Sequence, residues 1–312
     1  MKILSVGDVH YTNRKPVGRV DDYKAAILNK LLQIAELSQN YDVTIFSGDI
    51  FDKPNVTGSF LDLYAVIKQV KNAYVVPGNH DIFGYNLNKI DNTALGLLAA
   101  TGAVKLLYSD SIIETTKVVI AGQGYCIDVD ENGFGYDSEH FKDGKLGIMV
   151  THGMLLDVPM NIAKNTQIND VVTKADIVIT GHYHPGFGIK ERGSKFFCNV
   201  GAICRIEASK HEMEREIKVM SILVNDDLSF VIQETPLVYD KDVLSREHVE
   251  KIIHNKAVKS EFSAVLESKK SDMVFTSVED LVLYVKQQAE ESDDTVKIAL
   301  DLIEARRRDA KG

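Results

Sequence analysis

With 312 residues, 45% of them hydrophobic and 26% charged, the chain is an ordinary globular protein, long enough for one large domain plus a small one. Its formal net charge of −9 supplies no bulk attraction for a polyanion and argues against a dedicated nucleic-acid-binding surface. Three cysteines (Cys126, Cys198 and Cys204) without C-x-x-C spacing exclude a zinc or redox motif and predict reduced thiols. Only the short run Ile3-Leu4-Ser5-Val6 precedes Asp8, too little for a secretory signal, and no stretch approaches the roughly 18 apolar residues of a membrane span. The expectation is a cytoplasmic protein with no membrane contact, in which Asn55-Val56-Thr57 matches a glycosylation acceptor only by chance.

Along the first half, strand and helix alternate. An apolar run over 3–6 ends at Gly7, and residues 21–38 read as a helix, with Asp21 and Asp22 in its first turn and Ile27, Leu28, Leu31, Leu32 and Ala35 at helical spacing. A buried strand follows over 43–47, a helix over 59–70 and a strand over 73–76 that Pro77-Gly78 stops. Asn92 is expected to cap a further helix ending at Thr101-Gly102. Seven strands then succeed one another with few helices, over 112–114, 117–121, 145–151, 177–180, 195–200, 216–224 and 228–233. Mixed β/α units followed by many strands predict two packed sheets flanked by helices. From about Tyr239 the pattern turns helical, over 242–269, 277–291 and 293–309, which predicts a first domain over 1–238 and a helical C-terminal module over 239–312.

Five short clusters lie at the ends of these strands: Asp8-Val9-His10, Gly48-Asp49-Ile50-Phe51-Asp52, Gly78-Asn79-His80-Asp81, Thr151-His152-Gly153 and Gly181-His182-Tyr183-His184. In α/β sheets, ligands gather at the carboxyl ends of strands. Carboxylate, amide oxygen and imidazole together suit paired first-row divalent metals such as Mn²⁺, Fe²⁺ or Zn²⁺. Alone, Asp-x-His after a strand is common and Gly-Asn-His-Asp is often a polar turn, whereas Gly-His-x-His is the stronger signal. Five of them, in order and each at a strand end, point to a centre that clamps a phosphate for in-line displacement.

This set of motifs resembles the calcineurin-like metallophosphoesterase superfamily over about residues 1–200. The resemblance implies a four-layer α/β/β/α sandwich with two divalent metal ions, Mn²⁺ first and Fe²⁺, Zn²⁺ or Mg²⁺ as alternatives. It implies that Asp8, His10 and His184 hold one metal, that Asn79, His152 and His182 hold the other, and that Asp49 bridges them. It leaves His80 beside the leaving group as a proton donor. Asp52 and Asp81 are candidates to orient His80 through its other nitrogen, or else to cap their loops. Arg14, with Lys15 and Arg19, is a candidate to steer a phosphodiester backbone, a solvated loop being the alternative. Arg205, in the segment Asn199 to Arg205, either lines the pocket or serves the fold.

The opening residues, the run Val43 to Pro54 and the segment after Gly-His-x-His are similar to those of SbcD-type DNA exonuclease subunits. That likeness implies a Mn²⁺-dependent nuclease acting on DNA in repair or recombination, docked through its C-terminal helices to an SbcC-type coiled-coil ATPase. The same helices equally suit a homodimer contact or closure of the chain's own core. The acidic balance keeps a second reading open, a phosphodiesterase or phosphatase acting on nucleotides or cyclic nucleotides. A third, a non-enzymatic scaffold, is disfavoured because every ligand position is filled. Lys53-Pro54 stands where protein phosphatases of the superfamily carry Arg-Gly, which argues against that branch.

Overall fold

In the computed structural model, the described residues are 1–160, 164–247 and 250. In chain order they form β1 (Lys2–Val6), α1 (Tyr23–Ser38), β2 (Val43–Phe46), α2 (Phe60–Ile67), β3 (Ala73–Val75), α3 (Ala94–Ala100) and β4 (Lys105–Leu106). There follow β5 (Ile112–Glu114), β6 (Val118–Gln123), β7 (Leu146–Thr151), β8 (Leu155–Leu156), β9 (Thr166–Gln167) and β10 (Ile177–Thr180). The chain continues through β11 (Gly188–Arg192), β12 (Lys195–Asn199), α4 (Lys210–Glu214), β13 (Lys218–Val224) and β14 (Phe230–Pro236).

Two six-stranded sheets result, one in the order β14-β13-β1-β2-β3-β4 and the other β11-β12-β10-β7-β6-β5. The strands that carry the clusters run parallel within each sheet: β1 beside β2 and β2 beside β3, then β7 beside β10. Their carboxyl ends therefore share one edge of each sheet.

Alternation along the strands explains the layers. Ile3, Ile45, Ile148, Ile177 and Ile222 point between the sheets and make one buried cluster. Leu4, Val6 and Phe46 point the other way, onto Ile27, Leu31 and Ile34 of α1, Leu63 and Ile67 of α2, and Leu95 and Leu98 of α3. On the far face of the second sheet, Val119, Met149 and Val178 meet Tyr136, Phe141, Ile168 and Val171. The expected sandwich is present, and its outermost layer there is built from turns rather than a long helix. Asp22 caps α1 by accepting from the Ala25 N–H, one step outside the helix in which it was placed. Thr93, not Asn92, caps α3, accepting from the Gly96 N–H, because Asn92 still belongs to the 3₁₀ turn Leu87–Asn92.

A compact unit spans Met1–Leu244, and Ser245–Gly312 form a second. Residues 237–243 stay tied to the first unit. The Leu237 N–H donates to Ile217 O, Gln33 exchanges two hydrogen bonds with Val238, and the Val20 N–H donates to Val243 O. Apart from residues up to 247 and Glu250, the helices expected over 242–309 lie outside the described residues.

Candidate metal centre

Each buried strand stops at a sharp turn that swings a polar side chain over the end of the sheet. Three of these turn residues, His10 (φ 48°), Asp49 (φ 49°) and His182 (φ 72°), adopt left-handed backbone that side chains rarely accept, a form of local strain characteristic of functional sites. Glycines make the crowding feasible. A Cβ on Gly48, itself at φ 120°, would stand 2.1 Å from His152 Nδ1, and one on Gly78 would stand 2.1 Å from Asp49 Oδ1. The glycine of one cluster thus leaves room for the ligand of another.

The two sheet edges converge so that ligand atoms face one another. Asp8, His10, Asp49 and His184 bring one atom each within 4.8 Å of the others, as do Asp49, His152 and His182. Asp49 belongs to both groups. Its Oδ1 accepts from the His80 backbone N–H at 2.8 Å. Its Oδ2 is buried without a hydrogen bond, 3.4 Å from His10 Nε2 and 3.3 Å from His152 Nε2. His10 Nε2 and His184 Nε2 stand 2.9 Å apart, and His184 Nε2 is 3.5 Å from Asp8 Oδ2. Asn79 Oδ1 lies 3.0 Å from His152 Nε2. His152 Nδ1 must donate to the Ser47 carbonyl at 2.8 Å, which aims Nε2 at Asn79 and Asp49.

Burial and charge set the protonation. Burial lowers His10 to about 4, and His182 and His184 to about 3, so their ring nitrogens are free to coordinate at neutral pH. Burial also works against a charge on His152, yet Asp49 and Asp8 raise it to about 10. Burial raises Asp8 to about 7, and burial with the neighbouring Asp49 raises Asp81 to the same region. Burial likewise opposes ionisation of Asp49, but His152 and His10 hold its carboxyl well below the usual range. A buried carboxylate oxygen without a hydrogen bond, among imidazole nitrogens and the Asn79 oxygen, is a donor set that divalent cations would satisfy, with Asp49 common to both groups. The residues fit the group.

The groups behind the ligands differ in part from expectation. His80 Nδ1 donates to the backbone carbonyl of Asp52 at 2.8 Å, so no carboxylate orients its ring. The Asp52 carboxylate instead lies 3.8 Å from His10 Nδ1. Asp81 is buried and accepts from the backbone N–H groups of Ile50, Phe51 and Gly78, which makes it the tie between two ligand loops. Arg14 is exposed and does not line the cavity at the histidines. Arg19 is buried and paired with Asp21. Arg205, for which the sequence left pocket and fold equally open, is also buried, its guanidinium donating to the carbonyls of Lys241, Met213 and Arg215. Its side chain lies instead with Arg19, Lys30 and Tyr239 along a separate cavity.

A cavity of about 370 Å³ opens over Asp49, His80, His182 and His184, and its rim includes Met154, Tyr183, Ile206, Glu207 and Glu212. Two neighbours escaped the sequence reading. The Tyr125 ring lies 5.6 Å from that of His182 and 6.2 Å from that of His152. Cys204 brings its sulfur to His10 and His184. No motif announced Tyr125. Cys204 stood in the segment singled out for Arg205.

Among solved structures, the chain is similar to a hypothetical protein from Thermus thermophilus, at 10% identity over 76% of this chain and 100% of that one, with a TM-score of 0.42. It is similar also to a conserved uncharacterized protein of Streptococcus pneumoniae, described as a predicted phosphoesterase (14% identity, 76% and 97% covered, TM-score 0.35). A third is Vacuolar Protein Sorting 29 from Cryptosporidium parvum (14% identity, 76% and 97% covered, TM-score 0.34). No curated protein matches the chain. The family model of calcineurin-like phosphoesterases matches residues 1–186, a stretch that contains every candidate ligand and His80. The chain therefore belongs to the calcineurin-like phosphoesterases, which hydrolyse phosphoesters with bound metal ions.

Proposed function

We propose that this protein is a dinuclear-metal phosphodiesterase whose substrate is a small phosphodiester, and that it works in the cytoplasm. The observation that carries the substrate class is the cavity: among the described residues its lining holds no Lys or Arg, and of its two glutamates Glu212 is paired with Arg215 outside the lining. A nucleic acid draws its affinity from cations set against successive phosphates, and this rim offers none. In this reading Asp8, His10 and His184 hold one ion, Asn79, His152 and His182 the other, and Asp49 is shared. The ions supply charge neutralisation on the phosphate and a water nucleophile near neutral pH. The chain itself positions. His152 is fixed by Ser47 O and His80 by Asp52 O, which leaves His80 Nε2 bare to carry the proton for the departing oxygen.

A second reading keeps the SbcD-type nuclease subunit, with DNA as substrate and the C-terminal helices docking a coiled-coil ATPase or a second copy. Exposed Arg14, Lys15 and Lys53 favour it, since they follow the Asp8–His10 and Asp49–Asp52 clusters directly in sequence. End-labelled linear DNA and a bis-aryl phosphodiester, each offered to the purified protein with Mn²⁺ across a salt series, separate the two. Hydrolysis of the aryl diester that is indifferent to salt supports the small-substrate reading. DNA cleavage that falls steeply with salt replaces it with the nuclease.

A further inference from the structure

We propose that Tyr125 and Tyr85 form a stacking subsite beside Asn79, His152 and His182, and that it selects phosphodiesters in which one ester group ends in a flat aromatic ring, such as a nucleobase. The proposal rests on the small-diester reading above and assigns the part of the substrate that the phosphate site leaves unread.

Two loops deliver the rings to the carboxyl edge of the sheets, where ligands of α/β folds gather. At the end of β6, the Gln123 carbonyl accepts from the His152 N–H at 3.1 Å, and the Tyr125 N–H donates to Pro77 O at 2.9 Å. Tyr125 is thereby tied to the loops of His152 and Asn79 together. Its half-buried ring stands tilted at 46° to that of His182 and nearly edge-on, at 75°, to that of His152. The turn after Asn79-His80-Asp81 brings up the second ring. Tyr85 lies 5.2 Å from Tyr125, centroid to centroid, with their planes at 60°. The row of rings thus runs from His182 through Tyr125 to Tyr85, which is 51% exposed.

Packing alone does not account for Tyr85. Gly84 and Tyr85 both sit at φ 57°, a left-handed backbone that a bulky side chain rarely accepts. Burial does not offset that strain, since half of the side chain faces water, and Phe83 in the same turn is 37% exposed as well. An aromatic ring held out in water by strained backbone, one ring away from a candidate metal ligand, has the character of a binding element. The cavity over the histidines agrees: among the described residues its lining holds no Lys or Arg, which suits a neutral ring better than a second anionic group. An incoming ring would lie offset on the open face of Tyr85 or against the edge of Tyr125, the two arrangements that aromatic pairs favour. Every base has a π-face, so the pair would select for the presence of a ring and not for its identity.

The test is competitive inhibition of bis-aryl phosphodiester hydrolysis by the full chain with Mn²⁺. Two inhibitors share a ribose phosphate and differ by the base: adenosine 5′-monophosphate and ribose 5-phosphate. The expected inhibition constant of the adenosine compound is about tenfold or more below that of the sugar phosphate. Tyr85→Leu and Tyr125→Leu should each narrow this gap and the double substitution should close it, while Tyr85→Phe and Tyr125→Phe keep it. Equal constants in the wild type overturn the proposal, as does a gap that survives the double substitution. Leucine variants that weaken both inhibitors alike mark a structural role and overturn it too. If the aryl diester is not hydrolysed at all, the small-diester reading itself fails and takes this subsite with it.

Discussion

His80 is held by the main chain of Asp52 and not by its carboxylate: Nδ1 donates to the carbonyl at 2.8 Å. That distinction separates two substitutions that a motif comparison would equate. Asp52→Ala keeps the carbonyl, so His80 keeps its aim, and kcat should fall less than about tenfold. His80→Ala removes the proton donor and should cost about 10²–10⁴ in kcat with metal content unchanged. Steady-state kinetics on an aryl phosphodiester, with metal measured on the same samples, decides it. Wild-type rates in His80→Ala would dispose of the leaving-group role.

The shared carboxylate should prove intolerant even of a methyl group on its neighbour. A Cβ at Gly78 meets Asp49 Oδ1 at 2.1 Å and the Asp49 N at 2.4 Å, and neither atom can yield without moving the ligand. Gly78→Ala and Asp49→Asn should therefore both lose bound metal, read as metal per chain by elemental analysis. Two equivalents retained by Gly78→Ala would mean the loop relaxes more easily than its contacts indicate.

Metal uptake should expel protons, and the sign follows from the individual groups. His10, His182 and His184, lowered to about 4 or 3, are already neutral at pH 7 and release nothing. His152, raised to about 10, carries a proton in the metal-free protein, and Asp8, raised to about 7, is close to half protonated. Both must lose protons to coordinate, so apparent affinity should rise with pH from about 6 toward 10. Calorimetry at pH 7 in buffers of different ionisation heat should find more than one proton released per loaded chain. A buffer-independent heat would contradict the assignment.

Asp81 is a stability residue. Its carboxylate serves the N–H groups of Ile50, Phe51 and Gly78, and removing it leaves buried donors unsatisfied. Asp81→Ala should lower unfolding free energy by about 2–4 kcal/mol. Asp81→Asn keeps an acceptor oxygen and should cost clearly less. Urea unfolding in the presence of chelator tests the pair, and equal losses would show that the loop tie is not the cause.

The ligand clusters were legible because strand-end position and residue type together leave few alternatives, and the strands behind them are short, apolar and bounded by glycine. What the sequence hid were relationships that depend on the main chain. Ser47 and Asp52 act through carbonyls, which carry no residue signature. Arg205 and Cys204 lie one residue apart in the same strip, and only the pinning of that strip by Asp8 and His184 decides which of them faces the histidines and which turns into the fold. Asn92 and Thr93 compete as helix caps on equal chemical terms, and the 3₁₀ turn that absorbs Asn92 settles the outcome.

The left-handed backbones of His10, Asp49 and His182 reach beyond catalysis. Each costs the fold about 1–2 kcal/mol, a burden that metal binding offsets only while ions are bound. Cells short of the right ion would then hold this protein in its more easily unfolded form, the form proteases take. Ion supply would set how much of the enzyme persists as well as how fast it works.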